Sequence, residues 1–214
     1  MSARKGKRPE MGALIVLVGV LAAGYYAFFG GRDHPRPVEA APADPPPPAQ
    51  AAPAPPAAAG VGPQGWIRPV DAPIWGGFRT PQRPDHLGVD IGAARGTPIR
   101  AAAAGTVVRV RCNVVPESHG CDQDGSPQVG GCGWDVDIRH DGDVFTRYCH
   151  MLRRPEVTTG QAVAAGDVIG VVGSSGNSSA PHLHFEIRVG GQDATAAAVD
   201  PVPFMADKGA PLGA

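Results

Sequence analysis

The sequence has 214 residues and a formal net charge of −1. A chain of this length supports one folded domain with extensions. From Trp66 onward acidic residues outnumber basic ones, which argues against the basic face expected of a nucleic-acid-binding protein.

The N-terminal region has the charge pattern of a segment that enters a membrane. Residues 1–10 carry the basic cluster RKGKR and are predicted to be a cytoplasmic tail. Residues 11–31 are uncharged, and about 20 apolar residues cross the hydrocarbon core as a helix. We therefore predict a transmembrane anchor that leaves the rest of the chain outside the cytoplasm. A cleaved signal peptide is the alternative, although its apolar core usually has only about 7–15 residues.

Residues 32–65 are dominated by proline and alanine, as in PADPPPPAQAAPAPPAAAG. Because so few large apolar side chains cannot form a core, this segment is predicted to be a disordered linker. A polyproline conformation extends by about 3.1 Å per residue, so the linker could hold the following domain about 100 Å from the membrane. A low-complexity spacer with no required length fits the same composition.

The folded domain is predicted to cover residues 66–204, followed by a C-terminal tail at 205–214. Short β-rich runs such as WDVDIRH and DVFTRYCHM alternate with glycine-containing breaks, and long amphipathic helical patterns are absent. This spacing predicts an all-β domain of antiparallel sheet. The run WDVDIRHDGDVFTRYCH predicts a hairpin whose turn lies at Asp141 and Gly142.

Four cysteines lie inside this domain, at spacings unlike those of paired zinc-knuckle motifs. In an oxidising compartment disulfide bonds are the better interpretation. Cys132 and Cys149 lie almost symmetrically about the predicted hairpin turn, close enough to bond in a regular hairpin. That bond would leave Cys112 to pair with Cys121, although four cysteines allow three pairings in all.

The stretch PHLHFEIR places His182 and His184 two residues apart in an alternating pattern. Because side chains of a strand alternate between faces, both histidines share one face with Glu186, and the intervening apolar residues face the core. Two imidazoles at this spacing can approach one metal ion. Two solvent-facing histidines on a half-buried strand would give the same pattern.

The motif HLGVD adds His86 and Asp90, which are also of metal-ligand type. Four residues of strand span about 13 Å, so both side chains reach one metal only if the chain bends, for example through a bulge at Gly88. A turn histidine and an unrelated surface aspartate are the alternative interpretation.

The motif YCHM places His150 at the end of the second hairpin strand. A single histidine at this position is usually structural. Tyr148 has the same parity as His150, so a role as hydrogen-bond donor to an oxyanion is the alternative to the favoured interpretation, a plain sheet aromatic. His119 and His140 are predicted to be structural residues of a loop and of the hairpin turn.

The motifs HLGVD, YCHM and PHLHFE, in this order, resemble those of the lysostaphin-type zinc endopeptidases, the LytM domain family. GTPIRAAAAGTVV after the first motif and GDVIGVVGSSG before the last extend the resemblance over roughly residues 74–201. The resemblance implies an antiparallel β fold of the duplicated-hybrid-motif type. The connection from Cys112 to Cys132 is longer than is usual in this family.

The resemblance also implies the roles of five residues. His86, Asp90 and His184 would bind Zn²⁺, and His150 and His182 would form the catalytic pair. Three protein ligands leave a fourth position for water, as in catalytic zinc sites, and the metal would activate that water. One histidine would act as general acid and base while the other stabilises the oxyanion, with the division between them open.

The function implied is that of an exported endopeptidase that cleaves peptide cross-links or bridges of peptidoglycan at the bacterial cell membrane. Zinc is the only cofactor expected, and the domain is expected to be monomeric. The alternative is a catalytically inactive module that binds the cell wall or activates other hydrolases. Whether a stem-peptide cross-link or a glycine-rich bridge is cut stays open.

Overall fold

A computed structural model describes residues 61–213. The predicted cytoplasmic tail, membrane anchor and nearly all of the linker lie outside the described residues. Within residues 61–213 no helix is both long and apolar enough to cross a membrane. The strands and the helix of this part are β1 (Ile74–Gly76), β2 (Val89–Ile91), β3 (Pro98–Arg100), β4 (Gly105–Val115), β5 (Gly130–His140), β6 (Val144–Met151), β7 (Ala162–Val163), β8 (Val168–Val171), β9 (Leu183–Val189), β10 (Ala198–Val199) and α1 (Pro201–Asp207).

Eight of these strands form one antiparallel sheet in the order β1–β2–β9–β6–β5–β4–β7, and β10 also pairs with β9. The strands β3 and β8 form a separate antiparallel pair. Mostly antiparallel sheet is what the spacing of short β-rich runs predicts. Because β2, β9 and β6 are neighbours in the sheet, the three histidine-containing motifs arrive side by side.

The two faces of the sheet differ in chemistry. Leu183, Phe185 and Ile187 of β9 are fully buried and belong to the apolar core, which also contains residues of β3 and β8. The residues that alternate with them, including His184 and Glu186, lie on the opposite face. The alternation predicted for PHLHFEIR is therefore present in β9, and its potential metal ligand lies on the polar face of the sheet.

The hairpin formed by β5 and β6 turns at residues 141–143, where Gly142 has φ of +72°. The structure pairs Cys112 with Cys121 and Cys132 with Cys149, with Cα–Cα distances of 5.7 Å and 4.9 Å. These are the pairs that the sequence favoured, but the hairpin is not regular. Trp134 pairs with Met151, so Cys132 lies beyond the position directly opposite Cys149.

The boundary between domain and tail differs from the predicted one at residues 204 and 205. Helix α1 runs across it, and Met205 is completely buried in the core. The Asp200 side chain caps the helix by accepting a hydrogen bond from the Val202 N–H, and Pro201 suits the first helical position. A helix of two turns is too short to produce a periodic apolar pattern, which is why the sequence did not indicate it.

Gly88 lies where the chain entering β2 passes closest to β9. A Cβ atom at this position would lie 2.9 Å from the Phe185 carbonyl carbon and 3.0 Å from Glu186 Cγ. We expect Gly88→Ala to lower the free energy of unfolding by about 1–3 kcal/mol, because the strand that carries His184 must shift. Denaturant unfolding would measure this. Gly191→Ala is the matched control, since its Cβ would meet only ordinary contacts at 3.6 Å and 3.8 Å, and an equal loss in both variants would contradict the expectation.

Candidate active site

Three potential metal ligands converge on the polar face of the sheet. His86 Nε2 lies 3.0 Å from Asp90 Oδ1 and 3.0 Å from His184 Nδ1, and the last two atoms are 2.9 Å apart. All three residues are buried. Asp90 of β2 and His184 of β9 are direct partners in the sheet register, so their side chains necessarily share a face.

His86 reaches the other two ligands because it precedes the strand. Its N–H bonds to the Arg83 carbonyl oxygen in a turn, and β2 begins only at Val89. The extended span that would separate His86 from Asp90 in a strand is therefore avoided. The pairing of β2 with β9 is regular from Val89 onward, and Gly88, just before it, clears the space for close approach to β9 that the sequence suggested.

The outer contacts of the three ligands fit a metal ion at their centre. His86 Nδ1 donates to the Gly77 carbonyl oxygen at 2.7 Å, and His184 Nε2 donates to Glu186 Oε1 at 3.1 Å. In the neutral form of each ring, these contacts leave the other nitrogen, which faces Asp90 Oδ1, without a proton. Three lone-pair atoms about 3 Å apart repel one another unless a cation or proton lies between them, and two imidazoles with a carboxylate suit Zn²⁺.

His150 lies on the same face because β6 contains a bulge. The register moves from Val136 opposite Tyr148 to Trp134 opposite Met151, and His150 has φ of +65°. An extra residue in one strand reverses the side-chain alternation beyond it. The His150 ring consequently lies with its centroid 4.7 Å from that of His182 and 5.9 Å from that of His184.

Backbone carbonyl groups orient the rings of His150 and His182. His150 Nδ1 donates to the Ser175 carbonyl oxygen at 2.7 Å, and His182 Nδ1 donates to the Ala180 carbonyl oxygen at 2.8 Å. Both rings keep Nε2 for other partners, and His182 Nε2 is 3.5 Å from Asp90 Oδ1. The structure thus brings all five predicted residues to one place.

Burial and neighbouring charges shift the pKa values of several side chains in the site. Burial, together with the nearby His184 and His182, lowers the pKa of His150 to about 3, so its ring is neutral at pH 7. Burial opposes charge on His184, but hydrogen bonds to Asp90 and Glu186 outweigh it and raise the pKa to about 9. Burial likewise opposes charge on Asp90, whose pKa is nevertheless lowered by hydrogen bonds from His182, His184 and His86.

Tyr148 is not part of the site, and the sheet-aromatic interpretation that the sequence favoured over an oxyanion donor is confirmed. The residue is fully buried on the core side, where its hydroxyl oxygen accepts a hydrogen bond from the Ala102 N–H at 2.8 Å. The bulge at His150 is the reason, because it breaks the shared parity of positions 148 and 150. His140 and His119 were both predicted to be structural. Their rings hydrogen-bond with the carbonyl oxygens of Ala104 and Gly120, respectively.

The site opens into a cleft of about 370 Å³. One wall comes from the end of β4 and the start of β5, and another comes from the turn before β2. Several of the lining residues lie outside the three sequence motifs and were not predicted to belong to the site. The cleft is lined by Arg83, His86, Asn113, Gly131, Cys132, His150, Asn177 and His184.

A family model described as peptidase family M23 matches residues 84–201, more than half of the chain. The match includes all five converging residues. The chain belongs to peptidase family M23. The resemblance inferred from the three motifs is therefore confirmed.

Two curated relatives and one solved structure illustrate the similarity of this M23 domain. DD-carboxypeptidase/endopeptidase Mpg of Neisseria meningitidis serogroup B is 37% identical over 128 residues, which cover 58% of this chain and 26% of Mpg. Lysostaphin of Staphylococcus simulans is 36% identical over 124 residues, covering 58% of this chain and 22% of lysostaphin. The chain thus matches about a quarter of each relative's length. The structure of LytU is similar with a TM-score of 0.50 and 30% identity, covering 64% of this chain and 87% of LytU.

Proposed function

We propose that the chain is an exported, zinc-dependent endopeptidase that hydrolyses peptide cross-links or bridges of bacterial peptidoglycan. The observation that carries this proposal is the convergence of His86, Asp90 and His184 beside a second pair of histidines. Membership in a peptidase family supports hydrolysis of a peptide bond. The names of the two relatives, a DD-carboxypeptidase/endopeptidase and lysostaphin, support a cell-wall peptide as the substrate.

His86 Nε2, Asp90 Oδ1 and His184 Nδ1 would hold the zinc ion. Three protein ligands are typical of catalytic zinc sites, which keep one position open. When bound, the ion supplies Lewis acidity that polarises a carbonyl group and lowers the pKa of water. The buried outer contacts of His86 and His184 keep the ligating nitrogens unprotonated and correctly turned.

His150 and His182 would move the protons of the reaction. Each donates through Nδ1 to a backbone carbonyl group, so each presents Nε2 to a substrate in the cleft. A neutral Nε2 accepts a proton from the attacking water and later delivers it to the leaving amine. The other ring would donate a hydrogen bond to the developing oxyanion when it carries a proton on Nε2 as well as on Nδ1.

Export and membrane attachment are part of the proposal. Residues 11–31 would anchor the chain, and residues 32–65 would extend the domain toward the wall. The two disulfide bonds are supporting observations, because such bonds persist in oxidising compartments outside the cytoplasm. We further propose that the domain acts as a monomer.

Digestion of purified peptidoglycan tests the proposed activity. Mass spectrometry of the released muropeptides should show new peptide ends, which disappear with a chelator and return with added zinc. An inactive wall-binding module would bind the polymer and release nothing. Binding of zinc without hydrolysis of either directly cross-linked or glycine-bridged peptidoglycan would contradict the enzymatic proposal.

Glu186 is expected to tune the affinity for zinc through His184. Its carboxylate accepts the His184 Nε2 hydrogen bond and is itself held by Arg188 Nε at 2.7 Å. Outer partners of this kind are worth about 10–100-fold in metal affinity, so we expect Glu186→Gln to weaken zinc binding by that factor. Competition with a chromogenic chelator measures the affinity. Glu156→Gln, at an exposed position, is the control and should bind zinc as the unmodified chain does.

A further inference from the structure

Arg83 occupies an unusual position at the edge of the site. Its Nη1 lies 2.5 Å from Asp90 Oδ2, the carboxylate oxygen that does not face the two histidines. Only one carboxylate group therefore separates the guanidinium group from the three converging ligand atoms. The side chain is 52% exposed and lines the cleft together with His150 and His184.

Most of the hydrogen-bonding capacity of Arg83 is unused. A guanidinium group carries five N–H donors, and among residues 61–213 the only side-chain hydrogen bond of Arg83 is the one from Nη1. If Arg83 served only to hold the Asp90 carboxylate, the other side of its guanidinium group would not need to face the cleft. The geometry leaves Nε and Nη2 for a group that enters with the substrate.

The charge of the cleft favours an anion at this point. Among the described lining residues Arg83 is the only lysine or arginine, and none is acidic. The carboxylate of Asp90 offsets the charge of Arg83, so a bound dication would leave the site with net positive charge. A planar guanidinium edge matches a carboxylate in a bidentate arrangement, which a single amide or carbonyl group cannot reproduce.

We propose that Arg83 is a specificity-determining residue that binds a free carboxylate on the residue supplying the leaving amine. This inference rests on the proposed function. The guanidinium group is so close to the ligands that the recognised carboxylate must lie next to the scissile bond. A free carboxylate is found there only when the leaving residue is C-terminal, or when it is a diamino dicarboxylic acid whose cross-linking amine and free carboxyl group share one carbon atom. The interior of a glycine bridge offers neither arrangement, so the inference selects a bond of the stem peptides, above all a cross-link through such a diamino acid.

Paired substrates test this inference. A synthetic cross-linked peptide is prepared in two forms, with the carboxyl group next to its leaving amine either free or amidated. A pentaglycine peptide is the third substrate. We expect the unmodified chain to cleave the free acid with a kcat/KM at least about 10-fold higher than the amide, as for a charge-assisted hydrogen bond. In Arg83→Gln the ratio should fall toward one. The ratio is taken within one protein preparation, so differences in zinc content between variants cancel.

Two further variants keep the test decisive. Arg83→Lys keeps the positive charge but lacks the planar guanidinium group, so it should retain only part of the preference for the free acid over the amide. This variant tests the role of Arg83 even if Arg83→Gln loses zinc or folds poorly. Arg153→Gln, at an exposed arginine outside this cleft, should keep the full ratio.

The outcomes separate the inference from the proposed function. Equal cleavage of acid and amide by the unmodified chain, or cleavage of pentaglycine alone, would overturn the role of Arg83 and leave the peptidase intact. Failure to cleave any of the three peptides and purified peptidoglycan would instead overturn the proposed function, and the inference with it.

Discussion

The His184→Ala variant is expected to lose stoichiometric zinc and to show no measurable hydrolysis of peptidoglycan. The His184 Nδ1 atom lies 3.0 Å from His86 Nε2 and 2.9 Å from Asp90 Oδ1, while its other nitrogen contacts Glu186. Removal of His184 leaves two of the three ligands and takes from the buried Glu186 carboxylate one of its hydrogen-bond partners. Loss of the Lewis acid removes several kcal/mol of transition-state stabilisation, so activity should fall by at least about 10³-fold.

Elemental analysis of the purified protein measures the zinc, and muropeptide release measures the activity. His119→Ala is the matched control, because this histidine lies in the loop between β4 and β5 and its ring, among the described residues, hydrogen-bonds only with the neighbouring Gly120 carbonyl group. Circular dichroism of both variants would show whether the sheet is retained. One zinc ion per chain in folded His184→Ala would refute the assigned ligand set.

His150→Ala is expected to separate catalysis from metal binding. The His150 ring lies beside those of His182 and His184 but is not one of the three converging ligands. Loss of a positioned general acid or base costs about 10²–10⁴-fold in rate, so kcat should fall by that factor while zinc content stays near one per chain. Single-turnover digestion and elemental analysis on the same sample measure both quantities.

Tyr148→Phe is the informative comparison for His150→Ala. The tyrosine hydroxyl group faces the core and bonds with Ala102 and Thr146, so its loss should reduce the free energy of unfolding by about 1 kcal/mol and leave kcat within a few-fold. A large loss of kcat in Tyr148→Phe, or none in His150→Ala, would show that the faces of β6 have been assigned incorrectly.

Much of the site was predictable because it depends on local chemistry. Side-chain alternation along β9 follows from strand geometry alone, so His184 and Glu186 had to share a face and Phe185 had to point away. The three motifs also resemble those of one family in order and residue type, and the family match bears this out. Residues 11–31 retain their prediction as an anchor, which the described part of the chain does not address.

Other features depended on contacts that no short stretch of sequence contains. A bulge in the β5–β6 pairing placed His150 on the face opposite to Tyr148, and the alternation of residue types along β6 does not reveal it. Met205 is buried only because α1 packs against the sheet. Arg83 precedes His86 by three residues in a turn, and nothing in that spacing indicates that it reaches the Asp90 carboxylate.

The sequence by itself determined which residue types were present for zinc chemistry and that His184 and Glu186 would share one face of a strand, because alternation is a property of every extended chain. The tertiary structure alone decided that β2, β9 and β6 are neighbours, that a bulge brings His150 to the polar face, and that Arg83 borders the cleft. Those relations depend on strand order and register. Both are set by the burial of the whole apolar face at once, so no single motif encodes them.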